Sequence, residues 1–231
     1  MATPYVTIVR NVVGSTQDLA ADELQHNDRP VLVVAARQTA GRGRSGNEWW
    51  HAPRAVAASL AFSAERFPIE DTFSLAVGQA VRAAIRAAVS VDVGLKWPND
   101  LELAGSKVGG ILVERDEHRV VVGCGLNLCW PEPPAGARGL LVVDPGDHIG
   151  QKISELWATA VLESAGAWDR VAYVEACSTL GEDITWVPAG RGTAVTVDDR
   201  GGLVVDTDNG RVVLRSGEVR AVRRVAASGD A

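Results

Sequence analysis

Four short strings gather residue types that can do chemistry. Gly41-Arg42-Gly43-Arg44-Ser45-Gly46 places two arginines among three glycines. Glycines let backbone N–H groups approach a ligand closely, and guanidinium groups clamp carboxylate or phosphate oxygens, so an anion is the expected guest. A lone GRG is more often a solvated loop, and the string lacks the GxxxxGK[ST] spacing of a Walker motif. In Lys96-Trp97-Pro98-Asn99-Asp100, Pro98 should hold Trp97 extended and end a strand, so that Asn99 and Asp100 fall on a turn at a sheet edge. Turn chemistry alone explains Pro-Asn-Asp; the functional reading gives Asp100 a Mg²⁺ ion or a ribose, with Lys96 as its charge partner. In Gly105-Ser106-Lys107-Val108-Gly109-Gly110-Ile111-Leu112-Val113-Glu114, Lys107 stands just before two mid-strand glycines. Such glycines weaken a strand unless a bulge forms there or something must lie against its backbone. In Gly123-Cys124-Gly125-Leu126-Asn127, two glycines alternate with Cys124, so flat spots on neighbouring strands would form the floor of one pocket.

The elements around these strings are legible from apolar patterning. YVTIVRNVV reads as a strand that stops at Gly14. Ser15 and Asp18 have capping-box spacing ahead of LAADEL, so a helix should begin there. VLVVAA, 31–36, is a buried strand that runs into the arginine loop, and AVAASLAF is another after it. Asp71 precedes FSLAVGQAVRAAIRAAV, an apolar helix whose Arg82 and Arg86 should mark its solvent face. VGLKW, DLEL, KVGGILVERD and HRVVVGCGLNL follow each other too closely for helical crossovers, which predicts an antiparallel meander and argues against a doubly wound parallel fold. WPEPPAGARG, 130–139, lacks periodicity and reads as a lid or surface excursion. Ile153, Leu156, Trp157, Ala160 and Val161 fit one helical stripe, and Trp168, Val171, Ala172 and Ala176 another. Beyond Gly181, short β-branched runs separated by DDRGG, DNG and SG suggest a small barrel of SH3 type. The expected fold class is α/β, a mixed or antiparallel sheet flanked by helices over residues 1–180, followed by a small β-barrel over 181–231.

Composition narrows the function. At 231 residues, 46% of them hydrophobic, the chain can build a full core plus a small second domain. Twenty-three Lys and Arg against 29 Asp and Glu leave a formal charge of −6, which argues against a general nucleic-acid coat or an anionic membrane as partner. Neither a secretion signal nor a bilayer-length apolar run is present, so a cytoplasmic, soluble protein is expected. Three cysteines without CxxC spacing imply neither a disulfide framework nor a zinc site, and Cys124 reads as a small packing residue. His26, His51, His118 and His148 fall in polar or turn contexts and receive no role.

Taken in series, GSTQDL, GRGRSGNEW, KWPND, KVGGILVE and GCGLN resemble the biotin protein ligase family, from about Gly14 to the C-terminus. The resemblance implies two half-reactions. Biotin and MgATP give biotinyl-5′-AMP and pyrophosphate; a lysine of a biotin carboxyl carrier protein, of acetyl-CoA or a related carboxylase, then attacks the mixed anhydride. The enzyme supplies no nucleophile, only positioning and positive charge. By resemblance Lys107, Arg42 and Arg44 are the catalytic residues: Lys107 holds the biotin carboxylate and later the acyl-adenylate oxygens, while Arg42 and Arg44, which bind biotin together with Gly41 and Gly43, contact phosphate and order the loop. Ser15, Thr16, Gln17 and Gln38 suit the ureido ring, which carries both donors and acceptors. Gly110, Leu112, Gly123 and Gly125 shape the slot for the valeryl chain. Arg44, Trp49, Asn99, Asp100, Lys107 and Asn127 serve ATP: Asn127 at the adenine, Asp100 with Asn99 at Mg²⁺ or ribose, and Trp49 as a cover over adenine or biotin. The loop should be mobile when empty and order over ligand; Trp50 gets no role beyond packing.

The sequence departs from the family in two places. Gln17 stands where Asn is usual, and APRAVAASLAF lacks the expected Gly-Asn-Leu pattern. Some members carry an N-terminal helix-turn-helix; only 14 residues precede Ser15, so the monofunctional type without DNA binding is expected. A homodimer is compatible with the resemblance. A lipoate ligase-like acyl-adenylating enzyme is the neighbouring alternative. A nucleic-acid-binding or adaptor protein is the alternative of another class, and it would need a broad basic face with interleaved aromatics.

Overall fold

Residues 6–13 are mostly β-branched and 31–36 are apolar, and in the computed structural model they pair as parallel strands β1 (Val6–Val13) and β2 (Val31–Gln38). The structure describes residues 3–44, 49, 52–187, 189–215 and 219–221. The crossover between β1 and β2 is α1 (Thr16–Leu24). It starts where expected: Ser15 is extended and its side chain accepts from the Asp18 N–H. The Asp18 carboxylate itself accepts a pair of hydrogen bonds from Arg42.

Then come β3 (Arg54–Ser63), α2 (Phe73–Val89), β4 (Gly94–Lys96), β5 (Asp100–Leu103), β6 (Ser106–Arg115) and β7 (Arg119–Cys129). These strands complete a 7-stranded sheet in the order β1-β2-β3-β7-β6-β5-β4, antiparallel everywhere except between β1 and β2. The sheet is therefore mixed, with the expected meander as its larger half. The β4–β5 hairpin turns through Trp97, Pro98 and Asn99, with a cis Trp97–Pro98 bond. Asp100 is not on that turn: it is the first residue of β5, directly opposite Lys96.

Strand alternation sends Val56, Ala58, Leu60 and Phe62 of β3, with Val120, Val122, Cys124 and Leu126 of β7, into the main core. Helices α2 and α3 (Asp147–Glu163) cover this face. Arg82 and Arg86 do lie off the core side of α2, and Arg82 reaches back to the Val93 carbonyl and Asp92. On α3 the expected stripe is displaced. Ile153, Trp157 and Val161 are buried as expected, but with Gly150, Ser154, Ala158 and Leu162; Leu156 is 38% exposed and Ala160 is only half-buried. The cause is close approach at Gly150, where an added Cβ would come within 2.8 Å of Val56 Cβ. That contact rolls the helix onto its small-residue row.

The next helix, α4 (Arg170–Ala176), also differs from its expected stripe: Val171 is 65% exposed, and Tyr173 is the buried residue. Trp168 precedes the helix and packs edge-on against Tyr173. With Asp169 as N-cap and so few turns, one residue carries the burial.

The second sheet is small and antiparallel, β8 (Asp183–Trp186), β9 (Gly190–Val197), β10 (Leu203–Thr207), β11 (Gly210–Leu214) and β12 (Val219–Ala221), in the order β11-β10-β9-β8-β12. DNG closes the β10–β11 hairpin as expected, with Thr207 opposite Gly210; the SG turn lies outside the described residues.

Candidate functional site

The face of the main sheet opposite α2 and α3 is only partly covered. There α1 packs Ala20 and Ala21 on Val31, Val33, Ala61 and Val121. Beyond α1 the same face continues into small residues held in register across strands. Ala57 stands opposite Gly125, Gly125 opposite Gly110, and Gly110 opposite Asp100. In the neighbouring row, Ser59 stands opposite Gly123 and Gly123 opposite Leu112. The glycines predicted to floor a pocket thus do lie side by side.

Side chains lie directly on that floor. A Cβ added at Gly125 would come within 2.7 Å of the Trp49 ring, and one at Gly110 within 3.1 Å. At Gly123 it would meet Gln17 Oε1 at 2.8 Å. The mid-strand glycines therefore serve close approach, and the bulge also occurs: Leu101 pairs with Gly109 but Glu102 with Lys107, leaving Val108 as the extra residue.

Past the bulge, Lys107 is held by a third segment. Its N–H donates to the Gly136 carbonyl (2.8 Å), and its carbonyl accepts from the Arg138 N–H (3.0 Å). The Pro and Gly-rich loop is thus a strap along the start of β6, not a free excursion. The Lys107 ammonium pairs with Asp100 (2.7 Å) and sits 5.3 Å from the centre of the Trp49 ring. Lys96, expected to balance Asp100, pairs instead with Glu102 at 2.9 Å. Lys107 reaches Asp100 diagonally from β6 and leaves Lys96 the next carboxylate along β5.

At the other end of the floor is a buried polar cluster. Gln38 Oε1 accepts from the Thr16 N–H (2.7 Å) and hydroxyl (2.9 Å), and the Ser59 hydroxyl is 2.8 Å from that of Thr16. Gln38 also requires a glycine at 41, where a Cβ would meet its Nε2 at 2.8 Å. Gln17, 6% exposed, donates to Glu114, while its Oε1 has no hydrogen-bond partner. An orphaned amide oxygen at a cleft wall is an acceptor waiting for a donor. Ser15 accepts the α1 cap bond on its hydroxyl oxygen, and the same hydroxyl helps Arg42 to hold the Asp18 carboxyl low.

The two arginines divide. Arg42 makes a bidentate pair with Asp18 (2.7 and 2.9 Å) and lies 3.6 Å from Glu114. The hydrogen bond to Arg42 pulls the Asp18 carboxyl below its usual range, and the same bond raises Arg42 further. Arg44 donates to Asn99 Oδ1 (3.1 Å), and Asn99 is tied to Ile111 through its own amide and carbonyl. A cavity of about 300 Å³ opens beside Arg44 and Asn99, with Trp97, Gly201 and Arg215 also in its wall. Asn127 is 3% exposed and accepts from the Ala52 N–H, fastening the far end of the loop. Residues 45–48, Trp50 and His51 lie outside the described residues, and the expected ordering of the loop falls on them.

Asp18, Ser59 and Glu114 belong to this site and were not among the sequence candidates. Ser59 carried a signal: it is the hydroxyl in an alternating run with Ala55, Ala57 and Ala61 on the floor side. Among the described residues, no group of three or more His, Cys, Asp or Glu gathers to hold a metal. The three cysteines are free and buried, and burial pushes the Cys124 thiol up to about 12.

Residues 9–127 match the biotin/lipoate A/B protein ligase family, and residues 188–220 match the biotin protein ligase C terminal domain. A biotin--[acetyl-CoA-carboxylase] ligase of Mycobacterium tuberculosis is 30% identical over 211 residues, covering 84% of this chain and 79% of that protein. Another from Paracoccus denitrificans is 32% identical over 81% of this chain and 88% of that protein. Among solved structures, the biotin protein ligase from Aquifex aeolicus in complex with biotin and ATP superposes with a TM-score of 0.78 at 25% identity, over 95% of this chain and 99% of that one. With both matched segments in order and relatives aligned along most of their length, this chain belongs to the biotin/lipoate A/B protein ligase family.

Proposed function

We propose that this chain is an ATP-dependent biotin protein ligase, which activates biotin to biotinyl-5′-AMP and transfers the biotinyl group to a lysine of a biotin carboxyl carrier protein. One observation carries the reading. A flat glycine floor, Gly110 beside Gly125, joins a buried amide and hydroxyl cluster to a half-buried lysine. Biotin has the matching shape: a cyclic urea, an apolar chain and a carboxylate.

In this assignment Ser15, Thr16, Gln17 and Gln38, with Ser59 behind them, take the ureido group, and the orphaned Gln17 oxygen accepts one of its N–H groups. The valeryl chain lies over Gly110, Leu112, Gly123 and Gly125, with the Gly41 and Gly43 backbone alongside. Lys107 holds the carboxylate while one of its oxygens attacks the α-phosphorus of ATP and pyrophosphate leaves. In the second step the carrier amine attacks the acyl carbon, AMP departs, and the amine loses a proton. Arg44 and Asn99 serve the phosphates, Asn127 the adenine. Arg42, already neutralised by Asp18, is assigned to fixing the loop rather than to phosphate.

Mg²⁺ enters with ATP. A single carboxylate at Asp100 beside Asn99 suits an ion that keeps most of its shell in phosphate oxygens and water. Residues 1–180 form the catalytic unit in this reading and 181–231 the SH3-like unit. No described helix is long and apolar enough to cross a membrane; a cytoplasmic location follows from the supply of ATP and carrier.

The relatives named as biotin ligases favour biotin over lipoate. The test is to incubate the protein with MgATP and a biotin carrier domain, with biotin or with lipoate, and to weigh the carrier. One biotinyl group on one lysine is expected; lipoylation alone sinks the assignment.

A further inference from the structure

The KWPND turn is gripped from behind by the C-terminal part of the chain. Trp97 is 2% exposed, and its indole N–H, a donor with no other use, is satisfied by the Gly201 carbonyl at 2.9 Å. The Trp97 backbone N–H donates to Thr179 Oγ1 (2.9 Å) in the segment leading to the second sheet. Gly201 itself sits in the turn between β9 and β10 at φ +77, a conformation that favours glycine. A Cβ there would meet Leu75 and Thr72 at the start of α2 at 3.0 and 3.1 Å, so the turn is seated tightly. Asp198 braces it by accepting from the Arg200 and Gly202 N–H groups and pairing with Arg215.

From Trp97 the contact runs straight into the site. Asn99, two residues on, accepts from Arg44, and Asp100, next in line, pairs with Lys107. Asn99, which holds Arg44, therefore lies on a turn whose buried anchor is a carbonyl of the C-terminal unit, and Asp100, which holds Lys107, begins the strand that leaves that turn. The biotin end, at Thr16, Gln38 and Ser59, shares none of these contacts.

We infer that the C-terminal unit acts in the adenylation step as a positioning element: the Gly201 carbonyl, through the Trp97 indole, fixes the Trp97–Asn99 turn and with it Arg44. This rests on the assignment of Arg44 and Asn99 to ATP. Trp97, 2% exposed, acts through Asn99.

Two substitutions approach the contact from opposite sides. Trp97→Phe keeps a ring and removes the N–H, while Gly201→Ala shifts the carbonyl. Each full-length variant is assayed by biotin-dependent pyrophosphate exchange, by calorimetric biotin binding without ATP, and by thermal unfolding. Loss of one buried hydrogen bond, expressed at the ATP end, predicts a rise of about tenfold in KM for ATP with the biotin Kd unchanged. Coupling is the second readout: in an Arg44→Ala background the Trp97→Phe effect on KM disappears. A purely structural role would weaken biotin and ATP alike. A wild-type KM for ATP in folded Trp97→Phe or folded Gly201→Ala, or an equal loss of biotin affinity, overturns the inference. Arg44→Ala separates the two readings: a normal KM there rejects the assignment of Arg44 to ATP. A normal KM in Trp97→Phe beside an impaired Arg44→Ala rejects only the inter-domain inference.

Discussion

Gly110 stands directly opposite Gly125 across β6 and β7, and the indole ring of Trp49 lies against both. A side chain at either position would displace whatever occupies the floor. Gly125→Ala puts a Cβ 2.7 Å from the present ring position, closer than Cβ atoms come to other atoms. We predict that it folds, because the obstruction faces a cleft, and that biotin binds about fivefold to 100-fold more weakly, the scale of an overpacking cost of about 1–3 kcal/mol. Calorimetry decides; undiminished affinity would show that biotin does not lie on Gly125.

Trp49 lies against the floor where biotin is assigned, so biotin must turn it out. Trp49→Ala removes that competition, and its biotin affinity should equal or exceed that of the wild type. The same variant should release biotinyl-5′-AMP faster, for want of a cover. Filter binding of labelled biotin and a chase of preformed adenylate measure the two effects. Weaker biotin binding without faster release would reverse the assignment.

Lys107 pairs with Asp100, yet both side chains are partly exposed, at 39% and 24%. Lys107→Ala should unfold near the wild-type temperature while pyrophosphate exchange falls by about 100-fold or more, the scale of losing one charge-stabilising donor. Full exchange activity in this variant would remove Lys107 from the mechanism.

The Asp18–Arg42 pair gives a pH dependence of known sign. Arg42 depresses the folded-state pKa of Asp18 below its unfolded value. Its contribution is therefore fully present above the unfolded carboxylate range and is lost as pH falls through the lower, folded value. With side chains 60% and 39% exposed, it amounts to about 0.2–1 kcal/mol at most. In acid titrations of stability, Asp18→Asn should lack this last loss at the low end and be slightly less stable at neutral pH. Superimposable curves would mean the pair does not hold the loop.

Cys124 is 3% exposed, with its thiol raised to about 12 by burial, so the thiolate is not formed near neutrality. Iodoacetamide should leave native protein unmodified at Cys124 and fully active, and should label it after denaturation. Peptide mapping before and after unfolding checks this.

Local patterns made the Ser15 cap, the meander and the DNG hairpin readable, because each is decided by residues a few positions apart. The strings GRGR, KWPND, KVGG and GCG were readable as chemistry. Their mutual placement was not. Opposition of Gly110 and Gly125 depends on ladder register and on the extra residue Val108, which no single string encodes. Asp18 and Glu114 were missed because their partners are Arg42 and Gln17, the latter 97 positions from Glu114. Lys96 was given Asp100, which does stand opposite it, but Lys107 reaches that carboxylate diagonally from β6 and leaves Lys96 to Glu102. Leu156 was placed inward because an apolar residue next to Trp157 fits a stripe until the close contact at Gly150 fixes the roll of the helix.

The hydrogen bond from Trp97 to Gly201 has a further consequence for biosynthesis. The sheet that carries the glycine floor is complete by Cys129, long before residue 201 is translated. A ribosome-bound chain can thus assemble the biotin slot while its phosphate end is still unanchored. Such a nascent chain would bind ATP more weakly than the finished molecule, so adenylation would gain its full efficiency only when the C-terminal unit has folded against the turn.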